Sequence, residues 1–590
     1  MRGGSDVRGL RLPRHRGRGA SGARATVIAA AFAVAAAAGL TAGPASAQDH
    51  PGKPVYDKWC AGCHGVEGRG DGPAAAYMLP RPRDFTTGQY QIRSTGSGEL
   101  PTDADLMRII DDGMPGTAMP GWRNALTQAQ RESVADYLKT FSRFFQNAQP
   151  PEPMEFGSAP RVSDERLEEG RAVFERMECF KCHGNSGRGD GQSAPTQTDD
   201  LGHPIRPADL TEPWYFSGGG TAEDVFRRFR TGLNGTPMPS YSDAMDAGVV
   251  SEDELWSLAL YVRSMAPATP AIREVVRAAR VETGELPGLP GDTGWAAAER
   301  FYIPLVGQII VKPRWFAPAV DGVWVEALHD GQELALRLSW TDPSRSPAPE
   351  WAEWRSLVTS SMEPRESDAA AAPQAAPAQP AAQPPANAQQ GGAQAANAQG
   401  AAAQGAPGPA ESAQAAVPAA LPDVIAVQFP RRMPTGMDRP YFLMGSAREP
   451  VYLWTWSSQP DRVVERTARG LGQSAPVAAD GGLTGAAAWE AGQWRVVMRR
   501  PLVPADTTDA ITLPTGQPVP IALFAWDGDN GESGTRAAIS TWYFVHLEEP
   551  TPATVYATPI VAMLLTAGLG VFAVGRAQRR EHATAVPDKD

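Results

Sequence analysis

The chain of 590 residues contains four cysteines, and all four fall within two copies of one pentapeptide, Cys60-Ala61-Gly62-Cys63-His64 and Cys179-Phe180-Lys181-Cys182-His183. C-x-x-C-H is the attachment signature of a c-type haem: two thiols bond the porphyrin edge, and the adjoining histidine remains beneath the ring as an axial iron ligand. A structural zinc needs four ligands from one neighbourhood, whereas each motif supplies three with no further cysteine nearby. A disulfide framework has no reason to set each pair of cysteines beside a histidine.

The motif marks a duplication at an offset of 119 residues. Gly68-Arg69-Gly70-Asp71-Gly72 maps onto Gly187-Arg188-Gly189-Asp190-Gly191, and Gly116-Thr117-Ala118-Met119-Pro120 maps onto Gly235-Thr236-Pro237-Met238-Pro239. Each histidine, His64 and His183, therefore has a methionine 55 residues downstream, Met119 and Met238. A thioether opposite imidazole is a common ligand pair of electron-transfer haems and raises their potential. The repeat also discriminates among methionines, since Met107 falls opposite Phe226 and Met114 opposite Leu233. An isolated methionine is more often core filler than ligand.

Residues 51–147 and 164–267 resemble two class I cytochrome c domains on these motifs. The resemblance implies an all-α fold in which one helix carries C-x-x-C-H, a later loop carries the methionine, and a closing helix packs across the first. Apolar residues at helical spacing within Leu126 to Phe141 and Glu254 to Val262 suit those closing helices. His203, in an insert between Thr198 and Pro204, has no counterpart in the first unit and is read as a loop residue.

Length requires further domains. Seven arginines precede an uncharged alanine-rich run from Thr26 to Gly43 and the small-residue site Ala45-Ser46-Ala47, so residues 1–47 read as a secretory signal peptide. They carry seven Arg and one Asp, and their removal takes the net charge from −12 to −18, a sign that disfavours nucleic acid as a partner. Gln149-Pro150-Pro151-Glu152-Pro153 reads as a short stiff linker.

Beyond residue 270 the pattern alternates. Val323 to Leu328, a turn at Asp330-Gly331, and Glu333 to Leu338 predict a hairpin. Further strands are expected at 423–429, 451–456, 494–499, 521–526 and 541–547, which together suggest an all-β sandwich over 298–548. An Ala/Gln/Pro tract over 367–422 interrupts it and is expected to be disordered.

The runs Asp321-Gly322-Val323-Trp324, Leu338-Ser339-Trp340-Thr341-Asp342, Met444-Gly445, Trp526-Asp527-Gly528 and Ser540-Thr541-Trp542 resemble the haem-binding domain of ethylbenzene dehydrogenase. That resemblance implies a b-type haem held between a methionine, here Met444, and a lysine. It also implies a molybdenum enzyme as redox partner. No lysine occurs from 313 to 588, and Arg536-Ala537-Ala538 stands where the family carries it, so either His329, His546 or Met498 supplies the second bond or the haem is lost and the sandwich is a docking module.

Thr551 to Gly575 lacks charge and precedes Arg576, Arg579 and Arg580, the pattern of a transmembrane helix with its C-terminal end in the cytoplasm. The expected architecture is multidomain: two all-α cytochrome c domains, an all-β sandwich and one C-terminal transmembrane helix. The expected function is a periplasmic multihaem cytochrome, anchored in the inner membrane, with two covalent haems c. It would carry electrons between a periplasmic oxidoreductase and a quinol-linked complex or soluble cytochrome. As a non-catalytic electron-transfer subunit it would need no catalytic residue. A haem enzyme of dihaem-peroxidase type, with an open sixth iron position, and a cytochrome fused to a carbohydrate-binding sandwich are the alternatives.

Overall fold

The computed structural model describes residues 50–146, 148–267, 269–270, 273–362, 421–434, 439–478, 481–506, 510–550 and 553–584. The expected signal peptide and nearly all of the Ala/Gln/Pro tract lie outside them.

Two helical units come first. In the first, α1 (Lys53–Trp59) leads into the short α2 (Ala61–His64), followed by α3 (Asp103–Asp112) and α4 (Gln128–Lys139). In the second, α5 (Asp164–Arg176) leads into α6 (Phe180–His183), followed by α7 (Ala222–Thr231), α8 (Ser242–Asp246) and α9 (Glu252–Ser264). Local chemistry sets these boundaries. Helices α3, α4, α7 and α9 all start on capping boxes, Thr102 with Asp105, Thr127 with Gln130, Thr221 with Asp224 and Ser251 with Glu254. Both α3 and α7 stop at a glycine with positive φ, Gly113 at 74° and Gly232 at 64°, which turns the chain into the methionine loop.

The closing helix crosses the first helix of each unit at very close range. A Cβ on Gly52 would lie 2.0 Å from Ser133 O, and one on Gly170 would lie 2.1 Å from Ser257 O. Neither position has room for a side chain, so glycine here is a packing requirement. Around the second crossing Val173, Phe174, Phe226, Leu255, Leu258 and Val262 form a single buried cluster.

The two units pack against each other through their methionine loops. Arg93, 1 % exposed, donates from Nη2 to Thr231 O at 2.6 Å and to Asn234 Oδ1 at 3.0 Å, placing its charge at the C-terminus of α7. Its Nη1 and Nε bond Tyr90 O and Gly96 O within its own unit. From the other side, Ser217 Oγ donates to Pro115 O at 3.1 Å, and Arg108 pairs with Asp224 at 3.3 Å. The residues that follow the segment read as a linker join this seam, since Met154 N donates to Ser94 O and Phe156 packs edge-on against Phe226. Arg93→Ala leaves carbonyls of both units without their charged donor and is expected to cost about 3 kcal/mol, measured by calorimetry as a lower melting temperature of the helical half.

The remaining fold is a large β region. Strands β1 (Val275–Arg280), β2 (Phe301–Pro304), β3 (Val306–Gly307), β4 (Gly322–His329), β5 (Glu333–Thr341) and β6 (Val424–Pro430) are followed by β7 (Val451–Ser458), β8 (Asp461–Ala468) and β9 (Ser474–Pro476). Then come β10 (Thr484–Glu490), β11 (Gln493–Pro501), β12 (Pro518–Trp526), β13 (Ala538–Ile539) and β14 (Tyr543–Leu547). Their order is β10-β11-β5-β4-β1-β14-β12-β6-β7-β8-β9. Strand β12 turns the path, pairing over 518–521 with β14 and over 522–526 with β6. The two halves consequently share one core. Val325, Leu336 and Val496 of the first half bury with Val427 and Trp454 of the second, and Trp456 sits 6.1 Å from Trp340 and 4.6 Å from Trp494. The predicted hairpin is present as β4 and β5. Strand β1 begins before the expected boundary at 298, yet it lies inside the sheet, parallel to both β14 and β4.

Helix α10 (Ala352–Met362) follows β5, and Trp351 just before it and Trp354 within it bury with Ala194 of the second unit. Helix α11 (Ala553–Thr584) has no buried residue over 553–582, and its Ala553–His582 span is long and apolar enough to cross a membrane.

Candidate functional site

In both units the helix carrying the C-x-x-C-H motif is held by one set of backbone bonds. Gly70 N donates to His64 O and Gly189 N to His183 O, each at 2.9 Å, while Gly72 N and Gly191 N reach Cys63 O and Cys182 O. The glycine-rich loop thus folds back over the motif. Gly68 O and Gly187 O next accept from Phe85 N and Leu210 N, which brings a second loop beneath the histidine. On that loop Arg83 O and Ala208 O each accept from a histidine Nδ1 at 3.0 Å, in the tautomer that suits a carbonyl. Nε2 is then left with its lone pair, the arrangement usual for an imidazole that ligates a metal. Burial holds both rings below the ordinary histidine range, so they are neutral and able to ligate. Phe85 stacks on His64 with centroids 4.5 Å apart.

The methionine loops are equally alike. Leu233 N donates to Met238 O at 3.1 Å as Met114 N does to Met119 O at 3.0 Å. Thr117 Oγ1 and Thr236 Oγ1 accept from the methionine amides and donate to Met114 O and Leu233 O. Leucine fills the place of Met114 in the second unit, so that position acts through its backbone. Met119 and Met238 are both half-buried.

The cysteines are half-buried free thiols. Burial pushes Cys60 up to about 12 and Cys179 to about 11, which keeps both as thiols. The donor set is one neutral imidazole and one thioether per unit beside two unpaired thiols, and it fits a covalently attached haem. His64, Met119, Cys60 and Cys63 would hold one such group, and His183, Met238, Cys179 and Cys182 the other.

Residues 47–138 match the family described as Cytochrome C oxidase, cbb3-type, subunit III, and residues 167–266 match the family Cytochrome c. The chain contains tandem cytochrome c domains. Such domains imply covalent haem c, and the two motifs fit it. Among curated proteins, a Haloferax mediterranei protein, ORF7, named for a haem subunit of a respiratory nitrate reductase, is 30% identical over 126 residues, 21% of this chain and 44% of that protein. Cytochrome c55X of Paracoccus denitrificans is 62% identical over 34 residues, 6% of this chain and 33% of that protein. The chain thus spans less than half the length of these relatives. Among solved structures, a chain of the Kuenenia stuttgartiensis reducing HAO-like protein complex is 47% identical, covering 37% of this chain and 96% of that one, with a TM-score of 0.35. A family 9 carbohydrate binding module from Caldicellulosiruptor kristjanssonii with glucose is 9% identical, covering 47% and 97%, with a TM-score of 0.21.

The first cytochrome domain meets the β region where Tyr77 packs 5.9 Å from Phe316 and Arg81 donates to Ser361 O, and the second meets it through a larger set of polar contacts. The histidine loop of the second domain docks on β5, where Thr341 Oγ1 donates to Asp209 Oδ2 at 2.6 Å beside the carbonyl of Ala208. Arg206 pairs with Asp527, Arg188 donates to Ala491 O, and Tyr215 OH donates to Asp321 O at 3.0 Å. No residue type encodes these carbonyl partners, and sequence reasoning missed them for that reason. His203 closes a small loop with Asp199, consistent with its reading as a loop residue.

The residues around Met444 do not fit a doubly ligated haem b. Met444, 4 % exposed and at φ 59°, packs with Ala426, Leu443, Val451, Ala522, Phe524 and Ala537. Ala537, next to the position where the resemblance expects lysine, shares this cluster but brings only a methyl group. The guanidinium of Arg536 lies over Trp315 instead. None of the three substitutes reaches this cluster among the described residues. Met498 points into the central core, and His329 Nε2 bonds Glu548 O. His546 pairs with Pro518, four residues and roughly 13 Å along β12 from Ala522.

Proposed function

We propose that this chain is a membrane-anchored electron carrier holding two haems c, one on Cys60, Cys63 and His64 and one on Cys179, Cys182 and His183. Met119 and Met238 supply the sixth ligands. The observation that supports this reading is the matched hydrogen bonding of the two histidine loops and the two methionine loops. When bound, each haem supplies one-electron chemistry at an iron with no position left for substrate. The residues of the chain orient the ligands and exclude water. Because both methionine loops border the seam between the domains, the seam is the route by which the two centres exchange electrons.

The exported side of the membrane is where such haems are attached, and α11 serves as the anchor, with Arg576, Arg579 and Arg580 held on the cytoplasmic side. The similarity to a protein named for a nitrate reductase haem subunit supports a redox enzyme as the partner, with a quinol-linked complex or soluble cytochrome at the other end. The β region serves as the docking module in this reading and carries no haem b.

A pyridine haemochrome assay on the full-length protein, purified in detergent, tests the stoichiometry. Two haems c per chain and none extractable by acid acetone are expected. The native spectrum should show the sulfur-to-iron charge-transfer band and no carbon monoxide complex on reduction. One extractable haem per chain would restore the Met444 site, and high-spin iron in both domains would end the carrier reading.

A further inference from the structure

Three carboxylates that lie far apart in the chain meet at one edge of the β region. Asp342 follows β5, Asp423 precedes β6 and Asp527 follows β12, and their side chains are respectively 1 %, 0 % and 1 % exposed. One oxygen from each lies within 4.8 Å of those of the other two. Their polar partners are unevenly distributed. Asp423 accepts from Ser346 N at 2.8 Å, Trp494 Nε1 at 3.0 Å and Gly528 N at 3.0 Å, three bonds that leave about one of the four acceptor sites of its carboxylate. Asp527 accepts from Asn530 N and pairs with Arg206 of the second cytochrome domain at 3.0 Å. Asp342 Oδ1 takes a single long bond from Ser344 N, and its Oδ2, wholly buried, meets no donor.

A buried carboxylate oxygen without a donor costs several kcal/mol unless a cation or proton compensates it. Arg206 is the cation that pairs with this trio, and it is spent on Asp527. Its ring-facing side stacks on Trp351 and Trp354, and Nη2 also contacts Asn530. We propose that Asp342, Asp423 and Asp527 bind one calcium ion, which ties three strand ends together directly beneath the loop that carries Arg206 and Ala208. Oxygen-only ligands select a hard cation, and three oxygens within 4.8 Å of one another lie within reach of a single ion. Calcium accepts the irregular geometry of such a site, whereas magnesium demands a near-ideal octahedron and usually keeps several waters. The ion compensates Asp342 Oδ2 and leaves Arg206 free to hold the second cytochrome domain against the β region.

Full-length protein purified in detergent with 1 mM calcium chloride and then dialysed into metal-free buffer should retain one calcium per chain, with metal counted by mass spectrometry and protein by amino-acid analysis. Chelation by EGTA should lower the melting temperature by about 5 °C, and calcium but not magnesium should restore it. Asp342→Asn should reduce bound calcium at least tenfold and abolish the EGTA effect. Absence of calcium together with a melting temperature indifferent to EGTA would overturn the site, as would equal recovery with magnesium or undiminished calcium in Asp342→Asn. The wild-type chelation arm decides the matter even if the variant does not fold. None of these readouts depends on haem, so the outcome stands apart from the fate of the electron-carrier reading.

Discussion

Met238→Ala is expected to convert one iron per chain from a centre that ignores carbon monoxide into one that binds it. The loop geometry explains why the effect should be local. Backbone bonds from Leu233 N to Met238 O and from Met238 N to Thr236 Oγ1 survive the substitution, so the loop keeps its path while the thioether disappears. Met238 is only half-buried, and its truncation should cost about 1–2 kcal/mol, small enough for the domain to remain folded. The redox consequence is larger. Loss of a thioether ligand should lower the potential of that centre by about 0.1 V or more, within a range of roughly 0.8 V governed by axial ligation. Met119→Ala should do the same in the first domain, and the double variant should bind two carbon monoxide molecules per chain. Met114→Ala is the control. Its counterpart Leu233 makes the same backbone bond without sulfur, so this variant should keep a native spectrum. Carbon monoxide binding by the wild-type protein, or a silent Met238→Ala, would remove methionine from the ligand set.

How far these features could be read beforehand depended on whether residue identity carries them. The duplication, both histidines and both methionines stand out at one offset, because the chemistry tolerates only those residue types there. The second loop does not keep that offset. Arg83 and Ala208 occupy the same place beneath their histidines although an insert, folded as an isolated bridge between Thr198 and Pro204, has moved the register between them. What matters there is a carbonyl, which every residue has. The five expected strands of the β region and its hairpin are present, since alternation of large apolar residues marks a half-buried strand. Strand β1 was not anticipated: Val275 to Arg280 reads as mixed and charged, and only Val276 and Ala278 are buried. The Asp342, Asp423 and Asp527 trio had no signature either, as three strand ends are gathered by topology and not by spacing. Met444 shows the reverse case. Its motif was legible, but Arg536-Ala537-Ala538 stands where the resemblance expects lysine, and an apolar cluster surrounds the methionine.

Gly170→Ala should unfold the second cytochrome domain, although helix propensity alone favours the change by about 1 kcal/mol. Steric repulsion decides the sign. The new methyl carbon would stand 2.1 Å from Ser257 O and 2.6 Å from Tyr261 Cβ, so α5 and α9 must separate by more than an ångström to relieve it. That separation loosens Val173, Phe174, Leu255, Leu258 and Val262 together, because they bury in one cluster across the crossing. The expected cost is about 3 kcal/mol or more, a large part of what a domain of this size commands. Haem attachment to Cys179 and Cys182 requires the motif helix to be held in place, so haem c should fall from two toward one per chain. Gly62→Ala tests the specificity of the argument, since Gly62 lies inside the first C-x-x-C-H motif and a Cβ there would meet nothing within 4 Å. It should leave both haems and the melting temperature unchanged. If Gly170→Ala melted like the wild type with both haems attached, the helix crossing described here could not be the one the protein adopts.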